Sequence, residues 1–177
     1  MLAELTEVRK QYGDFSMNCT MHLEEGRVTG LIGKNGAGKS TAFKALLGLI
    51  HIDGGTVRVM GQNGVPLNVQ QKSQIGVALS DSTFSGYLTV KQVIHIMEKM
   101  YPGFDRNRFM AECHRISVPL DKKIKEFSTG TRAKLKVLLA LSYGARMLIL
   151  DEPTAGLDVV AREQILDLLR EYMEQEG

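Results

Sequence analysis

Cysteine is scarce in this chain of 177 residues, and the little there is forms no pattern. Cys19 and Cys113 have no metal-type spacing, which argues against a cysteine-held metal and against a disulfide framework. They are expected to be reduced thiols, mostly buried as fillers. Long apolar runs are missing too. A membrane span needs about 20 apolar residues. The nearest candidate, Val137 to Leu150, is interrupted by Ser142, Gly144 and Arg146. No sign of charge dominates: 22 basic residues against 20 acidic ones leave a net charge of +2. That gives no electrostatic case for nucleic acid or acidic lipid as the main partner. The N-terminus carries Glu4 and Glu7 and no long apolar block, so no signal peptide is expected. Internal repeats and low-complexity tracts are lacking. The remaining composition, 44% apolar and 24% charged, is ordinary for a soluble globular protein. The length suffices for one domain with a real core. Such a chain is expected in the cytosol and reaches a membrane through a partner.

What is present is an alternation of short strands and helices. Leu2 to Val8 and Met17 to Leu23 alternate in polarity and predict strands, with a turn signal at Gly13-Asp14. Val28 to Ile32 predicts a short apolar strand. Ser40 to Leu49 predicts a helix with Phe43, Leu46 and Leu47 on one face. After a turn at Asp53-Gly54-Gly55, strands are expected over Thr56 to Met60 and Ile75 to Leu79. Thr89 is a candidate N-cap for a helix in which Val90, Val93, Ile94, Met97 and Tyr101 keep helical spacing. Pro102-Gly103 breaks it, and a second helix is expected over Asp105 to Arg115. An apolar helix follows over Arg132 to Leu141, then a buried strand over Met147 to Leu150. Last comes an amphipathic helix over Ala161 to Met173, with Ile165, Leu168, Leu169 and Tyr172 inward. The pattern predicts an α/β core with a mostly parallel sheet, an N-terminal antiparallel β subdomain and an inserted helical subdomain. The boundaries fall near 1–80 and 131–177 for the core with its β subdomain, and 81–130 for the helical insertion, all in one domain.

The stretch LIGKNGAGKST, Leu31 to Thr41, gathers three glycines, two lysines and two hydroxyls behind an apolar run. Gly33, Gly38, Lys39 and Ser40 fit the pattern G-x-x-x-x-G-K-S/T between a predicted strand and a predicted helix, the context of a phosphate loop. From Gly33 through Asn35, Gly36, Ala37 and Gly38 the backbone can wrap closely and turn several N–H groups inward. The helix starting near Gly38 adds the positive end of its dipole. Lys39 is placed to reach the β- and γ-phosphates, the Ser40 hydroxyl to ligate Mg²⁺, and Thr41 to donate near the α-phosphate. A glycine-rich turn with incidental lysines is the plainer alternative, and the flanking elements speak against it. The core expected is that of a P-loop nucleoside triphosphatase.

RMLILDEPTAGLD, Arg146 to Asp158, is a predicted buried strand ending in two acids. Such a strand delivers Asp151 to the carboxyl edge of the sheet, where α/β ligands bind. Asp151 is then the Mg²⁺ partner of the phosphate loop, held through water, and Glu152 the residue that positions or deprotonates the attacking water. A lone acid pair at a strand end is otherwise a solvated turn.

GKNGAGKST, the helical insertion, FSTGTRAKL, LILDEP and AGLD follow in this order. In that order the chain resembles the nucleotide-binding subunits of ABC transporters, from Tyr12 almost to its end. The segments MYPGFD and LSYGARMLILDEPTAGLD are similar to bacterial ATPase subunits of the ABC-2 export type. The resemblance implies a set of roles. Tyr12 would stack on adenine, although a half-exposed tyrosine is also good packing. FSTGT stands where the family carries LSGGQ; Ser128 and Gly130 match, Thr129 and Thr131 depart. Ser128 and Gly130 would face the γ-phosphate held by an opposite subunit, and read alone the segment is a helix cap. Asp158 of AGLD would be the cross-dimer acid, or the N-cap of the next helix, or both. The family's glutamine after the β-rich region is absent; Ser80 or Asp81 would replace it towards Mg²⁺ through water, with Ser80 in better alignment. The family's late histidine has no counterpart, since His22, His51, His95 and His114 all come too early. The resemblance therefore implies a C-terminally truncated cassette, natural or otherwise.

The activity implied is hydrolysis of ATP, with Mg²⁺, at the interface of a head-to-tail pair of such chains. Closure of the pair would drive export through a separate integral membrane permease docked on the helical insertion. The chain would sit at the inner face of the cell membrane. Two alternatives stand beside this. One is a soluble ATPase of the same family in cofactor assembly. The other is a nucleotide-binding regulatory module without turnover.

Overall fold

A computed structural model describes residues 1–64, 66–81 and 84–176, with residues 175 and 176 described by backbone alone. The chain falls into two units, Met1–Ser73 and Gln74–Gly177.

In the first unit, β1 (Ala3–Tyr12) pairs antiparallel with β2 (Phe15–Leu23) and β3 (Gly54–Val59), and β4 (Gln62–Asn63) closes a four-stranded sheet of order β2-β1-β3-β4. This is the expected antiparallel piece. Its inner face changes phase midway along β1. Ala3 and Leu5 are buried, and then Val8. The register shifts between Leu5 and Val8, where Glu7 takes a left-handed backbone (φ 50) and its N–H donates to Thr20 Oγ1 at 3.0 Å. One extra residue at the bulge flips the side-chain alternation.

Helix α1 (Lys39–Leu46) is shorter than expected. It ends where Gly48 N–H donates to the Ala45 carbonyl and Leu49 N–H to the Lys44 carbonyl, a closing pair that satisfies the last carbonyls. Its buried face is Ala42, Ala45 and Leu46, with Leu47 just beyond. A single-turn helix α2 (Val69–Lys72) follows, with a capping box made by Asn68 and Gln71.

One expected strand is not formed. Val28 to Ile32 has no ladder partner among the described residues, and Val28 and Ile32 are 81% and 96% exposed. An apolar run becomes a strand only when a neighbour takes its N–H and C=O groups, and none does so here.

In the second unit, β5 (Ile75–Ala78) and β6 (Met147–Leu150) run parallel, Ile75 opposite Met147 and Ala78 opposite Leu150. Between them lie α3 (Val90–Met100), α4 (Arg106–Arg115), a 3-10 turn at Ile124–Glu126 and α5 (Thr129–Leu141); α6 (Val159–Glu176) follows β6. Thr89 caps α3 as expected, and Gln92 completes a capping box. Asp105 caps α4 by accepting the Arg108 N–H at 3.0 Å. Val93, Ile94, Phe109, Cys113, Ile116 and Leu135 bring α3, α4 and α5 into one core. Gly76 shows how tightly α5 lies on the sheet: a Cβ there would run into the Ala140 carbonyl and the Leu148 side chain. Both cysteines are free thiols, Cys113 buried and Cys19 half-buried. Burial, with Glu112 alongside, pushes the Cys113 thiol up to about 12. Among the described residues, no helix is long and apolar enough to cross a membrane.

Candidate functional site

The predicted site residues fall into both units, and each group has its own geometry. In Met1–Ser73 the glycine-rich loop leaves β2 behind and enters α1. Residues 33–37 are exposed, and Gly38, Lys39, Ser40 and Thr41 are half-buried. Gly36 and Gly38 take positive φ of 81° and 97°, and Ala37 N–H donates to the Lys34 carbonyl at 3.1 Å. Gly38 is the N-cap of α1, so no side chain closes that helix end. Lys39 folds back over the loop. Its ammonium donates to the Gly33 carbonyl at 2.8 Å and the Lys34 carbonyl at 3.0 Å. A cation is thus held across a ring of backbone next to an uncapped helix start. Both features favour an anion, and the lysine can exchange carbonyls for phosphate oxygens.

Tyr12, at the end of β1, is half-exposed. Its ring stacks on Phe15 with centroids 6.4 Å apart, and Lys10 Nζ lies 5.0 Å from its centroid. Phe15 also lies against Gly38, where an added Cβ would stand 3.1 Å from its ring. One ring therefore connects the exposed aromatic to the loop. Asn35 lies at the exposed tip.

In the second unit, β6 delivers Asp151 to its end, buried to 5% exposure. Asp151 N–H extends the ladder to the Ala78 carbonyl at 2.9 Å. Its Oδ2 accepts the Ser80 hydroxyl at 2.9 Å. Glu152 is exposed and has a left-handed backbone of φ 50, a conformation costing about 1–2 kcal/mol for a side chain with a Cβ. The Glu152 carbonyl accepts the Ala155 N–H at 3.1 Å, so the chain turns sharply here.

Ser128 caps α5, accepting the Thr131 N–H at 3.1 Å, and its hydroxyl pairs with Thr131 Oγ1 at 2.9 Å. Asp158 caps α6, accepting the Ala161 N–H at 2.8 Å. The cap readings of both residues therefore hold. Gly130 lies between the two helix starts. A Cβ there would stand 3.0 Å from Ala161 Cβ and 3.8 Å from Asp158 Oδ2. The fold thus brings Ser80 to Asp151 and Gly130 to Asp158.

A family model described as ABC transporter matches residues 16–155. This chain belongs to the ABC transporter family. It is 31% identical over 150 residues to the ABC transporter ATP-binding protein YtrB of Bacillus subtilis, covering 85% of this chain and 51% of that one. It is 29% identical over 178 residues to the bacitracin transport ATP-binding protein BcrA of Enterococcus faecalis, covering 98% and 58%. It is 33% identical over 178 residues to the Nod factor export ATP-binding protein I of Sinorhizobium fredii, covering 96% and 52%. The chain spans about half the length of the curated relatives it matches. Among solved structures, a bacterial ABC transporter cassette in dimeric form superposes with a TM-score of 0.85 at 21% identity, over 99% of this chain and 84% of that one. A dimeric ATP-binding cassette in a post-hydrolysis state with ADP and Pi gives 0.83 at 21%, over 99% and 84%. The fold is that of an ABC cassette, α/β with an antiparallel β piece and parallel strands. Nucleotide binding goes with the family.

Two lysines of this cassette escaped the sequence reading. Lys134 is buried, and its ammonium donates to the Ile116 carbonyl and to Gln164 Oε1, the latter at 2.9 Å. Lys136 donates to the carbonyls of Leu79 and Ser80 at 3.1 and 3.0 Å. The available signal was that Lys134 and Lys136 follow Arg132 into the apolar part of α5, at positions where charge needs a partner.

Proposed function

We propose that this chain is the ATP-binding and hydrolysing part of a bacterial ABC exporter of the ABC-2 type, acting as a head-to-tail pair on a separate membrane permease. The observation that carries the reading is the Lys39 ammonium held over the loop by Gly33 and Lys34 at the uncapped start of α1. ATP is the substrate. Its phosphates are taken by Lys39, by the amides of Gly33, Asn35, Gly36, Ala37 and Gly38, and by Ser40 and Thr41. Tyr12 stacks on the base. Glu152 positions the attacking water and accepts its proton. Ser128 and Gly130 face the γ-phosphate held by the second copy, with Asp158 beside them. All 177 residues form one ATP-binding domain in this reading, with 81–130 as its helical subdomain.

Mg²⁺ fits the donors present. Such ions are held by one or two carboxylates together with substrate phosphates, not by an all-protein cage. Asp151 offers a buried carboxylate oriented by the Ser80 hydroxyl, and Ser40 offers a hydroxyl. In this reading Asp151 would hold the ion, with Ser80 reaching it through water, and Ser40 is assigned to the same ion by the sequence pattern of the loop. The ion neutralises phosphate charge. The permease places the chain at the inner face of the cell membrane, and the names of the bacitracin transport and Nod factor export relatives support the direction.

The test is ATP hydrolysis with Mg²⁺ as a function of protein concentration, for the parent and for Glu152→Gln. The rate should rise faster than linearly, and Glu152→Gln should still bind ATP while turning over about a hundredfold more slowly. Normal turnover by Glu152→Gln would sink the assigned roles. ATP binding without any hydrolysis in the parent would leave a nucleotide-controlled binding module.

A further inference from the structure

β5 ends at Ala78, opposite Leu150, and the chain beyond it leaves the ladder. Leu79 is buried and Ser80 exposed. An exposed serine just past a strand end has several rotamers open to it. Here the hydroxyl nevertheless donates to Asp151 Oδ2 at 2.9 Å. The turn that aims it is held from outside. Lys136, two helical turns into α5, donates from Nζ to the Leu79 carbonyl at 3.1 Å and to the Ser80 carbonyl at 3.0 Å. Successive carbonyls of an extended strand point in opposite directions. They converge on one ammonium only because the chain bends at Leu79 and Ser80.

The Lys136 side chain also borders a cavity of about 250 Å³, shared with Arg132 and the apolar residues Val77, Phe84, Ile124, Leu135 and Leu139. Burial lowers the pKa of the ammonium against the pull of Asp81, and Arg132 nearby lowers it further. Hydrogen bonds from a partly desolvated cation are stronger than those of an exposed one.

We propose that Lys136 is a positioning residue for the nucleotide–metal site: it clamps the Leu79–Ser80 turn to α5 and so aims the Ser80 hydroxyl at Asp151. This deepens the reading above and rests on Asp151 serving Mg²⁺. The consequence is a mechanical link inside one unit. α5 begins beside Ser128, so the clamp ties the orientation of the Asp151 carboxylate to the position of the helix that presents Ser128 and Gly130. Displacing α5 moves the ammonium, loosens the turn and lets the carboxylate exchange the serine for water.

The test is a Mg²⁺ titration of nucleotide binding by the purified chain, with a fluorescent ATP analogue. It separates the Mg²⁺ midpoint from the metal-free nucleotide affinity. Lys136→Ala should raise the midpoint about tenfold, as loss of an outer-shell partner does at other metal sites, and should leave the metal-free affinity unchanged. Ser80→Ala should raise it by a similar factor. The double variant should shift no further than the larger single, because both cut the same chain of contacts. An unshifted midpoint in Lys136→Ala, or single shifts that multiply in the double variant, overturns the proposal. If Lys136→Ala does not fold, Lys136→Gln, which keeps one donor on a shorter stem, enters the same cycle under the same criterion. A parent whose binding ignores Mg²⁺ removes the Asp151 assignment, and the clamp with it. A responsive parent with unresponsive variants removes the clamp alone.

Discussion

Gly38 answers two demands at once. Its φ of 97° lies where a Cβ is strained, and that Cβ would also press on Phe15 and Met17 of β2 at 3.1 to 3.3 Å. Gly38→Ala is therefore expected to cost about 1–2 kcal/mol in stability and to weaken nucleotide binding in parallel, because the loop can no longer close over Lys39. Thermal unfolding and a nucleotide titration on the same sample check both effects, and an unchanged titration would show that the loop tolerates the side chain. Several single residues were legible from local pattern: the glycine, lysine and serine spacing of the loop, and Ser128 and Asp158 as caps. Ser80 was singled out only through family alignment. Its bond to Asp151 spans 71 positions of sequence and leaves no trace in local pattern.

At the scale of elements, helices with their own start and stop signals formed as expected. Thr89 and Gln92 close a capping box on α3, and Pro102 follows its end. Thr89→Ala removes the acceptor for the Gln92 N–H and is expected to cost about 1 kcal/mol, read as a lower urea midpoint with an unchanged slope. No shift in the midpoint would mean that tertiary packing alone holds the start of α3. Strands were less legible. Val28 to Ile32, interrupted by Thr29 and Gly30, has no ladder partner among the described residues, whereas Met147 to Leu150 pairs with Ile75–Ala78. The bulge at Glu7 likewise defeats simple alternation, since Leu5 and Val8 share a face that period two assigns to different sides.

At the scale of the molecule, the proposed pairing gives a prediction of its own. Glu152→Gln with ATP and Mg²⁺ should elute as a dimer, because bound nucleotide is retained and becomes part of the interface. Lys39→Ala should remain a monomer under the same conditions. Size-exclusion chromatography with light scattering distinguishes them, and a monomer in both cases counts against shared sites.

The sequence by itself determined the family, the glycine-rich loop before α1, the caps and the order of helices. Each of these is written in residues close together along the chain, where backbone freedom, hydrogen-bonding side chains and periodicity act locally. Only the tertiary structure decided which apolar runs pair as strands, which face of β1 turns inward, and that Lys136 and Ser80 converge near Asp151. Those outcomes depend on groups from distant segments meeting at hydrogen-bond distance, and a carbonyl or an ammonium does not reveal its partner until the chain has folded.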